Sequence, residues 1–506
     1  MKRVFAFIGF TCAITLIFLN IIPFKFTKLI FLSAVVLFVL SLLTKSVRQA
    51  KVFPVIAGSV AFACFVFMLF TVNSVMPAKE LDGRIADVEF QITDIPDKSE
   101  LNGSYIYTVK TLSIDVGDSV QNVKLRLYSD SEINADAYDI VSAQVRFFSQ
   151  GDNAFEQYGD YSDGIYIKGE IINCTDVVGT ENKPLNYYFI GIRKHINSVM
   201  LNNFDGDIAG LVIGFITGSK AYLSDEVRED FLICGLSHFL AVSGFHISLV
   251  CLGLYSVLKL MRTPSAVNTI LSLLTVLLYC GVSDYSKSAV RAGIMLGILL
   301  VSRLFNQKSD TLNSLGFAVF IICLNPFAVT DVSAVLTVCA MLGITVLFPA
   351  VRKEVKIKNR FFKGFFNYVA FSVCILLALM PAMYMFFGNI SIGGVFLNIV
   401  IEPMISALII ASIIFCLFSG VPPVACVSGG LIRFLGGAVI KVVSFFAEHF
   451  SFVFRDLSSD IYGVAIAEVL IFAALSLLIK KKVDVKETAV FIAVVIILSA
   501  VLTHMV

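Results

Sequence analysis

The chain has 506 residues, of which 58% are hydrophobic and 15% are charged, and its mean hydropathy is +0.87. Soluble globular domains are about half apolar and about one quarter charged, so this composition excludes an ordinary soluble protein and predicts a polytopic membrane protein. The net charge is +2, but the acidic and basic residues are unevenly distributed along the chain. Residues 79–183 carry 20 acidic and 9 basic side chains, and the basic excess lies in the apolar remainder.

Three apolar segments open the chain and are predicted to cross the membrane, at about 4–22, 29–43 and 52–72. The loop 44–51 carries three basic residues against two in the loop around Lys25 and Lys28, and Lys2-Arg3 precede the first segment. Because cytoplasmic loops are enriched in Lys and Arg, we expect the N-terminus in the cytoplasm. No small-residue cleavage site follows the first segment, so it is expected to be retained as an anchor.

The polar segment that follows is predicted to be an extracellular domain. Five runs with β character lie in it: Asp87–Thr93, Tyr105–Ile114, Val123–Tyr128, Ile140–Phe148 and Gly164–Ile172. Turn-rich stretches such as Pro96-Asp-Lys-Ser99 separate them. Five strands in about a hundred residues are typical of a small barrel such as an OB-fold. We therefore predict N-terminal transmembrane segments at 1–77, an OB-fold-like β-barrel insertion at 78–185 and a multi-span α-helical region at 186–506.

Two roles are open for this barrel. Folds of this kind bind single-stranded nucleic acid through a basic groove with aromatic platforms, and Tyr105 and Tyr107 have the character of such platforms. The acidic surplus of the segment weighs against broad phosphate binding. We therefore expect a structural or docking role, with DNA contact as the alternative.

After an amphipathic stretch at 186–204, glycine recurs at every fourth position, at Gly206, Gly210, Gly214 and Gly218. On a helix this spacing gives a bare stripe that lets another backbone approach closely, so helix packing is the expected role. The stretch is not a phosphate loop, because the Gly-Lys-Ser/Thr ending is missing. The sequence contains no ATP-binding signature.

His238, Ser243, Gly244 and His246 lie within an apolar run at about 231–258 that is long enough to cross a bilayer. Polar groups at membrane depth are costly and usually face a bundle interior or a water-filled path. A straight helix would turn by roughly 80° between the two histidines, which places them to line one cavity. The alternative is that each imidazole only hydrogen-bonds a neighbouring helix.

Further spans are predicted at about 266–282, 288–306, 331–349, 365–387, 395–417, 424–446, 461–479 and 488–504, with a shorter apolar piece at 312–324. Arg291 lies just inside the second of these spans, and Asp331 opens the third. The loop 352–363 holds six basic residues and one acidic residue. Attraction to anionic lipid is the expected role of such a loop, in preference to nucleic-acid contact.

Asn398, Glu402 and Pro403 interrupt the apolar segment 395–417. Broken helices in membranes are tolerated where they line a cavity or are buried in protein, so we predict a second lining element here. The segment 424–446 has the composition of either a crossing or an interfacial helix, and the parity of the other spans favours a crossing.

With these elements in order, the chain resembles the ComEC-type competence proteins, the bacterial membrane channels that take up transforming DNA. The most specific motif is Gly235-Leu-Ser-His-Phe-Leu-Ala-Val-Ser-Gly-Phe-His246, similar to the Gly-Leu-x-His-Leu-Leu-Ala-Val-Ser-Gly-Leu-His of the family. Supporting stretches are 214–224, 288–295 and 386–391 with Asn398 and Pro403.

The resemblance implies a plasma-membrane channel for single-stranded DNA with no catalytic residue, no metal and no cofactor. The implied path includes His238, Ser243, Gly244, His246, Arg291, Asp331, Asn398, Glu402 and Pro403. It also implies an extracellular DNA receptor, and translocation driven by a cytoplasmic motor ATPase or an ion gradient. Whether the channel is a homo-oligomer is left open.

Two departures from the family pattern matter. The family's Asp-Val-Gly-Phe-Gln-Leu-Ser is replaced here by Asp331-Val-Ser-Ala-Val-Leu-Thr337, which weakens the prediction at Asp331. Many members carry a C-terminal metallo-β-lactamase-like nuclease domain, whereas this sequence has five histidines and no His-x-His-x-Asp-His motif. Any nuclease is therefore expected to be a separate polypeptide or absent. Ten of the eleven cysteines lie in apolar segments and are expected to be packing residues.

Two other functions are weighed against the channel. In the first, the same fold transports another envelope substrate. In the second, the chain is an intramembrane serine hydrolase with Ser243 as nucleophile, and the base is His246 in an intact helix, or His449 or His504 on another helix. If the chain is a DNA channel, Arg291→Glu is expected to abolish DNA uptake and leave membrane insertion intact.

Overall fold

The computed structural model describes residues 3–43, 52–98, 104–115, 123–149, 154–305, 310–354, 359–387 and 393–450. Predictions for the loop 44–51, part of the basic loop 352–363, residues 388–391, His504 and the spans 461–479 and 488–504 lie outside these residues. The chain divides into two compact units. The first comprises residues up to Asn202 with Leu277–Tyr285 and Gly316–Asp331, and the second comprises Asn203–Val276, Ser286–Leu315 and the residues from Val332 onward. The three-region division at 77 and 185 stays a prediction.

Three apolar helices open the first unit, α1 (Val4–Ile21), α2 (Phe24–Leu43) and α3 (Val52–Phe70). Helix α3 packs against both of the others. It continues through a π-helical segment at Thr71–Val75 to Lys79. The prediction of three helices in this region is confirmed. Helix α2 begins earlier than predicted and α3 extends further.

Glycine allows one close crossing in this unit, between α1 and α11 (Thr311–Ile322). A Cβ atom added at Gly9 would overlap the carbonyl group of Gly316, and one added at Gly316 would overlap the backbone of Ala6. The two helix backbones therefore touch at this point, as small residues permit.

The polar domain of this unit is a closed β-barrel. Its strands are β1 (Ile85–Ile92), β2 (Asp97–Lys98), β3 (Tyr105–Ile114), β4 (Lys124–Ser129), β5 (Ile140–Phe148) and β6 (Ile165–Val178). The ring runs β1-β5-β6-β4-β3 and closes through the β1–β3 pairing, while β2 is added beside β3. All of these pairings are antiparallel except the parallel β4–β6 pair.

Alternating side chains form the barrel core. Phe90, Tyr107, Leu127, Val145 and Phe147 are all at most 1% exposed, because successive side chains of a strand point to opposite faces. The five predicted strands are confirmed, and β3 and β5 have the predicted bounds.

The structure corrects the sequence analysis of the barrel at three points. The predicted turn at 96–99 contains β2, whose two residues pair with Tyr105 and Ile106. The helix α4 (Ala154–Ser162) between β5 and β6 was not predicted. Strand β6 continues past Ile172 to Val178. In this second half its side chains are exposed and its backbone pairs only with β5.

Helix α5 (Leu185–Asn203) closes the first unit and is amphipathic, as predicted. Phe189, Ile190, Arg193, Ile196 and Met200 lie on its buried face. Their spacing of three and four residues gives one side of a helix.

The second unit is helical in the described part of the chain. It contains α6 (Gly206–Thr217), α7 (Asp225–Ile233), α8 (Gly244–Leu260), α10 (Lys287–Leu304), α12 (Val332–Leu342), α13 (Arg360–Phe387), α14 (Gly393–Phe418) and α15 (Pro422–His449). Helix α12 continues through a π-helical segment at Gly343–Leu347 to Glu354. Helix α9 (Ser265–Val282), like α11, has residues in both units.

Six helices among the described residues are long and apolar enough to cross a membrane, namely α2, α3, α9, α13, α14 and α15. Helices α1, α6, α8, α11 and α12 are shorter apolar helices. Helix α10, predicted as a span at 288–306, carries Lys287, Arg291 and Arg303 and is not among the six. The number of apolar helices confirms a multi-pass membrane protein. Helix α15 has the length of a crossing, which is one of the two alternatives for 424–446.

Candidate functional site

The motif-bearing run at 231–258 is not one helix, and α8 begins at the Ser243-Gly244 pair. Helix α7 ends at Ile233, and residues 234–243 form irregular turns before α8 begins at Gly244. Gly235 adopts a left-handed φ of 71°, and the N–H of Leu236 reaches back to the carbonyl of Phe231 at 2.7 Å. This is the usual way in which a glycine ends a helix. We call residues 234–243 the motif turn.

Ser243 is the N-cap residue of α8, and His246 completes the cap. The backbone N–H of Ser243 donates to Nδ1 of His246 at 3.1 Å. A side chain at the third helical position that accepts from the N-cap N–H is half of a capping box. Because Nδ1 accepts a hydrogen bond, we infer that the ring proton is on Nε2.

The ring of His246 is fully buried among aromatic side chains. Its centroid lies 5.7 Å from that of Phe245, 5.9 Å from Phe215 of α6 and 6.5 Å from Phe239. The residue is 0% exposed, and its Nε2 has no hydrogen-bond partner among the described residues. A buried N–H donor without an acceptor is costly, so this site is suited to a polar group that α8 itself does not provide.

His238 lies in the motif turn, and its environment differs from that of His246. It is exposed, its Nδ1 donates to the carbonyl oxygen of Gly235 at 3.2 Å, and its ring lies on Phe239 at 4.3 Å. Because Phe239 contacts both imidazoles, the turn brings the two predicted histidines to one aromatic cluster. They are not two positions on one straight helix.

The glycine stripe of α6 lies mainly against irregular backbone. A Cβ atom at Gly210 would overlap the carbonyl of Tyr222, and one at Gly214 would lie 3.5 Å from the carbonyl oxygen of Ser219. Gly218 follows the helix with a left-handed φ of 87°, and a Cβ there would lie 3.4 Å from Val242 of the motif turn. A Cβ at Gly206 would meet nothing within 4 Å.

Gly244 is the point at which α8 meets α10. A Cβ atom there would lie 3.1 Å from the Cβ of Ala292. The neighbouring Arg291 is buried, and its Nη2 donates to the carbonyl oxygen and the hydroxyl of Ser333 at 2.7 Å and to the hydroxyl of Thr337 at 2.6 Å. Arg291 therefore joins α10 to α12.

Asp331 belongs to the first unit and has its partners there. Its Oδ2 accepts a hydrogen bond from the hydroxyl of Ser162 at 3.4 Å, and the side chain of Asn325 donates to the carbonyl of the same serine at 2.9 Å. The rings of Tyr161 and Phe327 lie 5.2 Å apart beside these contacts. The segment around Asp331 thus holds helix α4 of the barrel.

The predicted break at Asn398, Glu402 and Pro403 does not occur. Helix α14 runs unbroken from Gly393 to Phe418 with Pro403 inside it. Glu402 accepts a hydrogen bond from the hydroxyl of Tyr368 on α13 at 2.6 Å, and Oδ1 of Asn398 has no partner among the described residues. These residues lie one turn apart on the helix, so a polar strip exists where a lining element was predicted, without a break.

Sequence reasoning missed the partners of these polar groups. Ser333 and Thr337 hold Arg291, Tyr368 holds Glu402, and Phe215 covers His246. The i, i+4 spacing of Ser333 and Thr337 on an apolar helix is a signal for a polar face, but it does not identify the arginine.

Comparisons with known proteins identify the family of the chain. A family model described as "Competence protein" matches residues 215–483, more than half of the chain. The chain is 29% identical over 164 residues to ComE operon protein 3 of Bacillus subtilis (strain 168). That similarity covers 32% of this chain and 20% of the relative, so it spans about one fifth of the relative's length. No solved structure matches the chain.

Proposed function

This chain belongs to the ComEC-type competence proteins, and from this premise we propose that it forms a path for single-stranded DNA across the bacterial plasma membrane. The family connects it to DNA uptake during natural transformation. The path would run beside the motif turn and use the polar groups of α8, α10 and α14. No covalent chemistry is proposed for the chain.

The observation that carries the proposal is the buried Nε2–H of His246, which has no hydrogen-bond partner among the residues that the structure describes. A phosphate oxygen is a strong acceptor for such a donor, and the irregular backbone of residues 234–243 is of the kind that membrane proteins place along a cavity. The half-buried aromatic side chain of Phe245 beside the ring is suited to stacking on unpaired bases.

The local geometry of Ser243 favours this function over a serine hydrolase. Its Oγ lies 3.5 Å from Nδ1 of His246, too far for a good hydrogen bond. That nitrogen already accepts the backbone N–H of Ser243 at 3.1 Å. His246 is therefore occupied as a helix cap, whereas a general base must receive the proton of the nucleophile.

For the barrel we propose an OB-fold on the extracellular side with a docking role. Its ring order and single parallel pair suit that fold. Arg126 and Lys168, two cations of its outer face, are both bound by the buried carboxylate of Asp160, at 2.5 and 2.9 Å. These cations are thus held by a carboxylate rather than offered to phosphate.

The proposal includes a cytoplasmic N-terminus, supported by the basic loops, and translocation partners outside this chain. These are an extracellular DNA receptor and a cytoplasmic motor ATPase, with an ion gradient as the alternative source of energy. The similarity to ComE operon protein 3 spans about one fifth of that protein, so its partners are transferred here only as proposals.

The test compares two variants of one side chain. His246→Asn keeps an acceptor for the Ser243 N–H but removes the Nε2–H donor, whereas His246→Gln keeps a donor near the Nε2 position. Cells with a complete competence apparatus and a separate nuclease would be given labelled double-stranded DNA. We expect nuclease-resistant uptake that depends on the chain, is lost with His246→Asn and is partly kept with His246→Gln.

His449→Ala is the matched control, because His449 is exposed at the end of α15 and donates only to its own helix, at the carbonyl of Phe445. Its uptake should equal that of the natural chain. Equal uptake by both His246 variants would remove the histidine from the path. Absence of chain-dependent uptake, with the protein shown to be inserted, would favour another envelope substrate.

A further inference from the structure

Three charged side chains from separate parts of the first unit meet at Arg193. Asp94 follows strand β1, Arg193 lies on α5, and Asp284 lies in the turn after α9. Nη1 of Arg193 is 2.9 Å from Oδ1 of Asp94, and Nη2 donates to Oδ1 of Asp284 at 3.2 Å. The arginine side chain is only 7% exposed, whereas the side chains of Asp94 and Asp284 are 26% and 44% exposed.

The charges of this group do not balance when both carboxyls are ionised. One guanidinium then faces two carboxylates, and like charges in a partly buried site disfavour the second ionisation. Burial, followed by the charge of Asp94, raises the pKa of the Asp284 carboxyl to about 7, while Arg193 and Lys124 act in the opposite direction. Asp94, Arg193 and Lys124 are the charged groups with the largest effects on the Asp284 carboxyl. One bound proton neutralises the group formed by Asp94, Arg193 and Asp284.

The backbone at Asp284 is held in an uncommon conformation. Asp284 and Tyr285 have φ values of 53° and 49°, in the left-handed region that non-glycine residues rarely adopt. Phe189 of α5 holds this turn: a Cβ at Gly281 would lie 2.6 Å from its ring, and the rings of Phe189 and Tyr285 are 6.2 Å apart. Such strain persists only while the surrounding contacts maintain it.

We propose that Asp94, Arg193 and Asp284 form a proton-operated latch that fastens the barrel and α5 to the turn after α9. In the closed latch the two carboxyls share one proton and Arg193 bridges them. The released turn has an ordinary Asp284 carboxyl, so the closed state binds one more proton than the open state. Lowering the pH through about 7 therefore closes the latch, and raising it through about 7 opens it. This inference does not rest on the proposed DNA path.

The chain contains no tryptophan, so Tyr285→Trp introduces a unique fluorophore beside Phe189. The full chain in lipid nanodiscs would be titrated from pH 5.5 to 8.5 while its emission is recorded. We expect a single transition with a midpoint near 7. It should vanish in the additional presence of Asp284→Asn, which remains in the closed position at every pH. Arg193→Gln removes the bridge between the two carboxyls, so the turn should stay released and show no transition over the same pH range.

Asp136→Asn is the matched control. Asp136 also pairs with α5, through Lys194 at 2.9 Å, and hydrogen bonding by Lys194 lowers its pKa to about 2, so it stays ionised throughout the titration. Its midpoint should be unchanged. A flat profile, or the same midpoint with Asp284→Asn, would overturn the latch. Should Asp284→Asn fail to fold, Asp94→Asn removes the second cause of the raised Asp284 pKa and must move the midpoint to lower pH.

Discussion

The guanidinium of Arg291 is fixed by hydrogen bonds to helix α12. Its contacts at 2.6 to 2.7 Å combine a backbone carbonyl with two hydroxyls of α12. Hydrogen bonds to a charged group contribute roughly 1.5–3 kcal/mol each when buried. The residue therefore has a structural role that any test of its contact with DNA must separate from transport.

Arg291→Ala is expected to lower the free energy of unfolding by about 3–6 kcal/mol, because the two N–H donors of Nη2 are lost from their acceptors on Ser333 and Thr337 in a buried site. Ser333→Ala and Thr337→Val should each lower it by about 1–2 kcal/mol. Thermal unfolding of the detergent-solubilised chain measures these changes. Arg291→Glu should be destabilised as strongly as the alanine variant, so its loss of DNA uptake alone would not place Arg291 in the path.

Arg303→Ala, on the same helix, serves as the control. Arg303 is exposed and lies over the ring of Tyr255 at 5.4 Å, an interaction of about 0.5–1 kcal/mol. If the two alanine variants had equal melting temperatures, the helix-joining role of Arg291 would be wrong.

At the scale of secondary-structure elements, the alternation of buried and exposed residues and the positions of glycine residues were informative about where elements begin and end. The alternation of Val141, Ala143, Val145 and Phe147 predicted strand β5 with its bounds, because a barrel buries one face of each strand. The second half of β6 was missed because its side chains from Ile171 onward are half-exposed or exposed on both faces. A strand without a buried face has no period to detect.

The sequence was less informative about interruptions of helices. Pro403 predicts a break because proline removes a backbone donor and costs about 3 kcal/mol inside a helix in water. In the structure α14 continues through it, as neighbouring helices in membrane proteins often allow. Conversely, the run around His246 was predicted as one span, since its residues are apolar on both sides of the motif turn. Partners such as Thr337 come from a distant helix, which no local pattern identifies.

The crossing of α1 with α11 provides a test at this scale. Gly316→Ala is expected to destabilise the chain by roughly 1–3 kcal/mol, because the new methyl group overlaps the backbone of Ala6 and overpacking has this cost. Gly253→Ala on α8 is the control, since a Cβ there meets nothing within 4 Å. It should be neutral or stabilising by up to about 1 kcal/mol through helix propensity. The melting temperatures of both variants test this expectation, and that of Gly316→Ala should be the lower one.

At the scale of the whole molecule, the location of the barrel is the main untested prediction. Among the described residues, Cys174 and Cys426 carry exposed thiols. Cys174 lies on strand β6 of the barrel, and Cys426 lies on α15, one of the helices apolar enough to cross a membrane. A membrane-impermeant maleimide applied to intact cells should therefore label Cys174 if the barrel is extracellular.

The rate of this labelling should depend on pH. Burial, and then the charge of Asp176, raises the pKa of the Cys174 thiol. Because the thiolate is the reactive form, the rate should increase about tenfold from pH 7 to pH 8. Cys174→Ser should abolish the label. Labelling only after the cells are permeabilised would place the barrel in the cytoplasm and reverse the proposed topology.

The backbone contact between Gly9 and Gly316 also has a consequence in time. Chains are synthesised at about 5–20 residues per second, so the partner of the first helix leaves the ribosome about 15–60 s after it. A second contact has the same delay, since the side chain of Asn20 donates to the carbonyl of Pro326. During that interval α1 lies in the bilayer without the helix that packs on its glycine surface. An insertase that covers this surface until the later helices are inserted would stabilise α1.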